Sequence, residues 1–186
     1  MGTPASRRER ILDAAEELYY AKGYAAVGMD ELRTAAGVSL KRVYALFPSK
    51  NDIIKAVLAR KHDEWESMVT AAVSAAGDDP RARLLAVYDF LQSWFTTDDF
   101  RGCAFINAFG ELGGTIPEVA RIVREHKASF QEYMAGLVAE TGASEVLAAQ
   151  LSILAEGAQS TAAISADPQV AAQARGAAEV LIAAAV

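Results

Sequence analysis

Apolar residues recur every three or four positions along most of the chain, and no segment alternates strictly between apolar and polar residues. In the first such segment, Ile11, Ala15, Leu18 and Tyr19 share one face of a helix. This pattern predicts an all-α protein. The predicted helices, about nine in number, lie at residues 6–22, 29–36, 39–47, 49–76, 79–95, 103–112, 115–140, 144–166 and 168–186.

Capping residues mark several of the predicted helix starts. Ser6 and Glu9 are spaced as a capping box, in which each side chain satisfies a free backbone N–H of the other residue. Thr115 and Glu118 have the same spacing and predict a second box. Ser39 is expected to cap the third helix.

The second and third helices have the length and spacing of a helix-turn-helix. Gly37 is expected to end the second helix, because the residue after a helix commonly takes a left-handed conformation. On the third helix, Leu40, Val43 and Phe47 share a face and are expected to pack inward. Lying in a DNA major groove, this helix would turn its other residues toward base edges and phosphates. Those residues are Lys41, Arg42, Tyr44 and Ala45.

The stretches "ILDAAEELYYAKGY", "MDELRTAAGVS" and "VYALFPSKNDI" carry a family resemblance. Together, residues 10–53 resemble the DNA-binding domain of the TetR/AcrR family of bacterial transcriptional regulators. The resemblance implies a helix-turn-helix DNA-binding domain at residues 1–50, with a recognition helix at 39–46, and an effector-binding and dimerisation domain at 51–186. The DNA contacts that it implies are Arg33, Thr34, Ser39, Lys41, Arg42, Tyr44, Ala45, Ser49 and Lys50.

Within this set, Tyr44 and Lys50 fall where the family usually contacts phosphate, and Arg42 is the best candidate for a guanine contact. One departure from the family pattern concerns the start of the second helix. Val27-Gly28 stands where the family usually has a Thr/Ser pair that caps this helix and touches phosphate. Arg33 could supply a phosphate contact in compensation.

The distribution of charge agrees with a DNA-binding N-terminus. The net charge is −6, yet residues 1–60 hold ten Lys/Arg and seven Asp/Glu, a charge of +3. Residues 61–186 hold eight and seventeen, a charge of −9, which would repel a polyanion. The resemblance implies that the partner is a palindromic double-stranded DNA operator, bound in the cytoplasm without membrane attachment.

The resemblance also implies a homodimer. The last two helices combine small residues, which allow close helix approach, with apolar area that a two-fold four-helix interface would bury. Packing only within the chain is the alternative. The candidate interface residues are Leu154, Gly157, Ala158, Thr161 and Leu181.

A cavity for a small, largely apolar effector is expected among aromatic and methionine residues at helical spacing, although such residues are more often core. Cys103, Asn107 and Glu111 add one polar stripe, and the last two need partners, which could be a ligand or basic residues at 121–126. The candidate effector residues are Trp65, Met68, Trp94, Cys103, Asn107, Phe109, Glu111, Phe130 and Tyr133. The fourth helix is uninterrupted by glycine or proline and could act as a lever that releases a repressor from its operator.

An enzyme is the competing class of protein. Only His62 and His126 are available as histidine bases, and no nucleophile, phosphate-binding loop or metal-ligand motif accompanies them. We therefore expect no enzymatic activity, cofactor or metal. A redox-responsive regulator acting through Cys103, the only cysteine, stays open as a further alternative.

Overall fold

The computed structural model describes residues 6–186, and these residues form nine helices with no strand among them. The predicted all-α architecture is confirmed. In chain order the helices are α1 (Arg7–Lys22), α2 (Met29–Ala35), α3 (Leu40–Leu46), α4 (Lys50–Ala75), α5 (Pro80–Phe95), α6 (Ala104–Leu112), α7 (Pro117–Glu140), α8 (Glu145–Ser165) and α9 (Val170–Ala185).

The helices group into two compact units. The first combines the chain up to residue 62 with residues 104–123, and the second combines residues 63–103 with residues 124–186. Helix α6 and the beginning of α7 therefore belong with the N-terminal helices. The domain boundary expected after residue 50 assigns α6 and the beginning of α7 to the other domain. Packing between segments so far apart in the chain leaves no signal in local sequence.

The first unit is built around a small apolar core. Ile11 of α1, Leu32 of α2, Val43 of α3 and Ile53 of α4 are each at most 1% exposed. On the surface, Arg60 of α4 donates from Nη1 to the Asp13 carboxylate of α1 at 2.6 Å. Apolar packing and this ion pair hold α4 against α1.

The second unit has the larger core. Leu84 and Leu91 of α5 are at most 1% exposed and pack in one cluster with residues of α8 and α9. The buried Tyr88 hydroxyl donates to the Leu151 carbonyl at 2.8 Å, which ties α5 to α8. Buried polar groups need such partners, so this bond fixes how the two helices pack.

Some of the helix caps predicted from the sequence are formed and others are not. The capping box of Ser6 and Glu9 is formed as predicted. Ser39 occupies the N-cap of α3, but its side chain makes no capping hydrogen bond, so that prediction is wrong. The second predicted box is also wrong, because α7 begins only at residue 117 and the Thr115 hydroxyl instead donates to the Leu112 carbonyl at the end of α6.

Candidate functional site

Helix α3 presents one buried and one exposed face. Val43 is 0% and Phe47 is 4% exposed, as predicted, whereas Lys41 and Arg42 are exposed. Among the residues that the structure describes, neither cation takes part in an ion pair. Two unpaired cations on a seven-residue helix are thus available to an external anion.

The rest of the exposed face of α3 is mixed in character. Tyr44 is 46% and Leu46 is 40% exposed, and Ala45 lies exposed between them. A tyrosine, whose hydroxyl can donate to a phosphate, and a leucine beside two cations suit a surface that contacts both phosphates and base edges.

The turn between α2 and α3 sets the direction of α3. Gly37 has φ +63°, the left-handed conformation predicted for it. The N–H of Val38 donates to the Arg33 carbonyl at 3.1 Å, which closes the end of α2. The predicted helix-turn-helix is therefore formed.

Two predicted DNA contacts on α2 are occupied by their own helix. Arg33 donates from Nε to the Asp30 carboxylate at 2.8 Å. The Thr34 hydroxyl donates to the Asp30 carbonyl at 2.7 Å. Because the Arg33–Asp30 ion pair is exposed, it contributes little to stability. A phosphate could therefore displace Asp30 from Arg33.

The start of α2 explains the departure at residues 27–28. Val27 is 1% exposed and belongs to the core, where its apolar side chain leaves no buried hydrogen-bonding group to satisfy. Gly28 is the N-cap and offers no side-chain capping bond. A Cβ built on Gly28 meets nothing within 4 Å, so a larger residue would fit.

The start of α4 carries a serine cap and a tethered lysine. The N–H of Asp52 donates to Ser49 Oγ at 3.2 Å, so Ser49 caps α4. Lys50 donates from Nζ to the Ala25 carbonyl at 3.2 Å and lies 5.9 Å from the centroid of the Tyr19 ring. Partial burial lowers the pKa of Lys50, and the negative charge of Glu111 opposes that shift.

Sequence reasoning missed the network that surrounds Lys50. The N–H of Ala25 donates to Glu111 Oε2 of α6 at 2.8 Å, and the Tyr24 hydroxyl donates to the Ala104 carbonyl at 3.2 Å. The sequence did indicate that Glu111 needs a partner. It could not identify a backbone N–H located 86 positions earlier.

The predicted effector residues fall in both units. In the second unit, the rings of Phe130 and Trp65 lie 5.1 Å apart, and Phe90 lies 6.3 Å from Trp65 and 6.4 Å from Trp94. These four rings form a continuous aromatic cluster. Tyr133 packs against the same core, and burial raises its pKa.

The other predicted effector residues are not part of this aromatic cluster. Met68 is 50% exposed, whereas the Cys103 thiol is buried and lies 3.7 Å from Lys127 Nζ. Phe109 is 46% exposed, and with Asn107 and Glu111 it belongs to the first unit.

The candidate dimer residues lie on α8 and α9 with unequal exposure. Gly157 and Thr161 are exposed, and Leu154 and Leu181 are partly buried. Ala158 is 4% exposed and packs within the core of its own unit, so it is not available to a partner. Sequence reasoning missed the most exposed apolar side chains of these helices, which are Val146, Ile153, Ile164 and Val180.

The described residues contain neither a candidate metal centre nor a candidate membrane-spanning helix. Across residues 6–186, no group of three His, Cys, Asp or Glu side chains could hold a metal ion. Over the same part of the chain, no helix is long and apolar enough to cross a membrane.

Comparison with known proteins points to one family. Residues 11–57 match the family described as bacterial regulatory proteins, tetR family. The chain is 39% identical over 89 residues to the HTH-type transcriptional activator FasR of Mycolicibacterium smegmatis, covering 46% of this chain and 41% of FasR. It is 26% identical over 122 residues to the HTH-type transcriptional repressor ComR of Escherichia coli, covering 65% of this chain and 58% of ComR.

The chain spans about half the length of these curated relatives. A solved structure extends the likeness to nearly the whole chain. The TetR-family regulator from Streptomyces coelicolor superposes with a TM-score of 0.90 at 29% identity, over 98% of this chain and 91% of that protein. A second solved structure, of a protein from Streptomyces avermitilis assigned to the TetR transcriptional regulators, is 31% identical over 94% of this chain and 99% of that protein, with a TM-score of 0.74. The chain belongs to the TetR family of DNA-binding transcriptional regulators, which are not enzymes.

Proposed function

We propose that the protein is a homodimeric repressor that binds a palindromic operator through α3 and is released by a small, largely apolar effector. The observation that carries the DNA-binding part is the exposed face of α3. Lys41 and Arg42 are exposed there, while Val43 anchors the opposite side at 0% exposure. Arg42 would read a guanine, and Tyr44 and Lys50 would contact phosphates.

The apolar surface of α8 and α9 supports the dimer. Ile153 is 71%, Ile164 is 87% and Val180 is 70% exposed, so a partner is needed to remove them from water. Gly157 and Thr161 share this face and allow close approach of a second copy. A two-fold dimer in turn requires an operator with two-fold symmetry.

Repression is proposed over activation, and the named relatives include both kinds of regulator. ComR is named as a repressor and FasR as an activator. Repression and activation by this protein are distinguished by placing the selected operator upstream of a reporter. A repressor lowers expression when the protein is added, and an activator raises it. Since its proposed partner is operator DNA, we place the protein in the cytoplasm.

The aromatic cluster of the second unit supports an apolar effector. Aromatic side chains supply large contact areas to apolar ligands, and Trp65, Phe90, Trp94 and Phe130 are contiguous. Helix α4 runs unbroken from Lys50 to Ala75 and carries both Lys50 and Trp65. A rigid helix of this kind can transmit displacement by an effector to the DNA-binding residues.

The effector is tested by a reciprocal titration. Apolar ligands are titrated against free and operator-bound protein, with binding followed by the fluorescence of Trp65 and Trp94. An effector must bind the free form more tightly, by a factor of roughly 5 to 150, and it must weaken operator binding by the same factor. Ligands that perturb the tryptophans without changing operator affinity would contradict the proposal.

A redox-responsive regulator is the second candidate. The Lys127 ammonium lies 3.7 Å from the Cys103 sulfur, so a polar group stands beside this thiol. Cys103 is only 5% exposed, which hinders access of an oxidant. Operator affinity that falls on peroxide treatment of the wild type, but not of Cys103→Ser, would favour this candidate over a ligand.

A further inference from the structure

The two ends of α6 are attached to adjacent residues of the loop between α1 and α2. At the beginning of α6, the Ala104 carbonyl accepts the Tyr24 hydroxyl at 3.2 Å. At the other end, Glu111 accepts the Ala25 N–H at 2.8 Å. Helix α6 is thereby held along this loop at two points.

Ala25 also binds the lysine that is expected to contact phosphate. Its carbonyl accepts Lys50 Nζ at 3.2 Å, while its N–H is bound by Glu111. A carboxylate and an ammonium group therefore bind the backbone of one residue, through the peptide groups on either side of its Cα. The negative charge of Glu111 raises the pKa of Lys50 against the effect of its burial, so the two charges interact.

The close fit of Glu111 is visible at Gly23. A Cβ built on Gly23 would lie 2.9 Å from Oε1 and 3.0 Å from Oε2 of Glu111. Only the absence of a side chain at residue 23 lets the carboxylate approach so closely. Glu111 therefore contacts the loop at two residues, Gly23 and Ala25.

We propose that Glu111 is a positioning residue for operator binding, whose negative charge restrains Lys50 through Ala25 and holds operator affinity below the value that Lys50 would otherwise give. A phosphate that binds Lys50 must compete with the attraction between the Lys50 ammonium group and this carboxylate, which weakens operator binding. The inference rests on the proposed phosphate contact of Lys50. It assigns to Glu111 a role in setting affinity for DNA, in place of a contact with an effector.

The test separates the charge of Glu111 from its hydrogen bond. Glu111→Gln keeps an acceptor for the Ala25 N–H and removes the charge, whereas Glu111→Ala removes both. Operator affinity is measured by fluorescence anisotropy on a selected operator, at ~0.15 M and at ~0.5 M salt. Glu118→Gln makes the same charge change on an exposed position of the same unit and serves as the matched control.

We expect Glu111→Gln to tighten operator binding roughly two- to fivefold at the lower salt concentration, as is typical of partly solvated charges beyond ion-pair distance. The gain should shrink at the higher salt concentration, and Glu118→Gln should change affinity less. Glu111→Ala should bind more weakly than Glu111→Gln, because the loop loses its anchor. Circular dichroism confirms that each variant is folded.

A double-mutant cycle with Lys50→Ala decides whether Glu111 acts through Lys50. The gain from Glu111→Gln should vanish in the Lys50→Ala background. A gain of equal size without Lys50, or Glu111→Gln binding no more tightly than the wild type, would overturn the inference. If Lys50→Ala alone leaves operator affinity unchanged, the phosphate contact of the proposed function fails, which is a separate result.

Discussion

The free energy of unfolding of Gly23→Ala tests whether Glu111 packs closely against Gly23. Gly23 has φ +92° and ψ 155°, a region that residues with a side chain rarely adopt. Holding alanine there costs about 1–3 kcal/mol. The added Cβ would also lie about 3 Å from both carboxylate oxygens of Glu111, so the carboxylate must move and lose its bond to Ala25. That loss adds about 0.5–1.5 kcal/mol, which gives a total of about 1.5–4.5 kcal/mol.

Two further variants separate these contributions. Gly142 has φ +77° and no neighbour within 4 Å of a built Cβ, so Gly142→Ala should show backbone strain alone. Introducing Gly23→Ala into a Glu111→Ala background should likewise reduce its cost to the backbone part. Denaturant unfolding followed by circular dichroism measures each free energy of unfolding. A cost for Gly23→Ala that is unchanged by Glu111→Ala, or below about 0.5 kcal/mol, would refute the reasoning.

Three other substitutions test separate parts of the account. Gly28→Ser should cap α2, raise stability by a few tenths of a kcal/mol and tighten operator binding, as denaturant unfolding and anisotropy would record; weaker operator binding would contradict it. Gly157→Arg should give a monomer by light scattering, whereas Gly136→Arg, at an exposed glycine of α7, should stay dimeric. Tyr88→Phe should lose about 1–3 kcal/mol of unfolding free energy, because it leaves the buried Leu151 carbonyl without its donor.

The helices and the DNA-binding motif were predictable because their signals are local. The capping box of Ser6 and Glu9, the left-handed Gly37 and the buried face of α3 each depend on residues within a few positions of one another. The wrong caps show where a local signal falls short. Thr115 has the right spacing for a capping box, yet its hydroxyl satisfies a carbonyl at the end of the preceding helix.

The surroundings of Lys50 could not be predicted from sequence. Glu111 and Ala25 are 86 positions apart, and their hydrogen bond depends on how α6 packs in the first unit. Periodicity identified Glu111 as a polar residue in need of a partner, but it cannot choose between a ligand, a side chain and a backbone N–H. The small size of Ala158 likewise suggested a place on the dimer interface, although that residue packs into its own core.

The central claim is that α3 reads DNA with Arg42 while Lys50 contacts the backbone. The most direct measurement is the affinity of the wild type, Arg42→Ala and Lys50→Ala for a library of operators that differ by single base pairs. Arg42→Ala should cost about 1–3 kcal/mol and relax specificity at one base pair in each half-site, whereas Lys50→Ala should weaken binding to every sequence about equally. Specificity and affinity left unchanged by both substitutions would contradict the account.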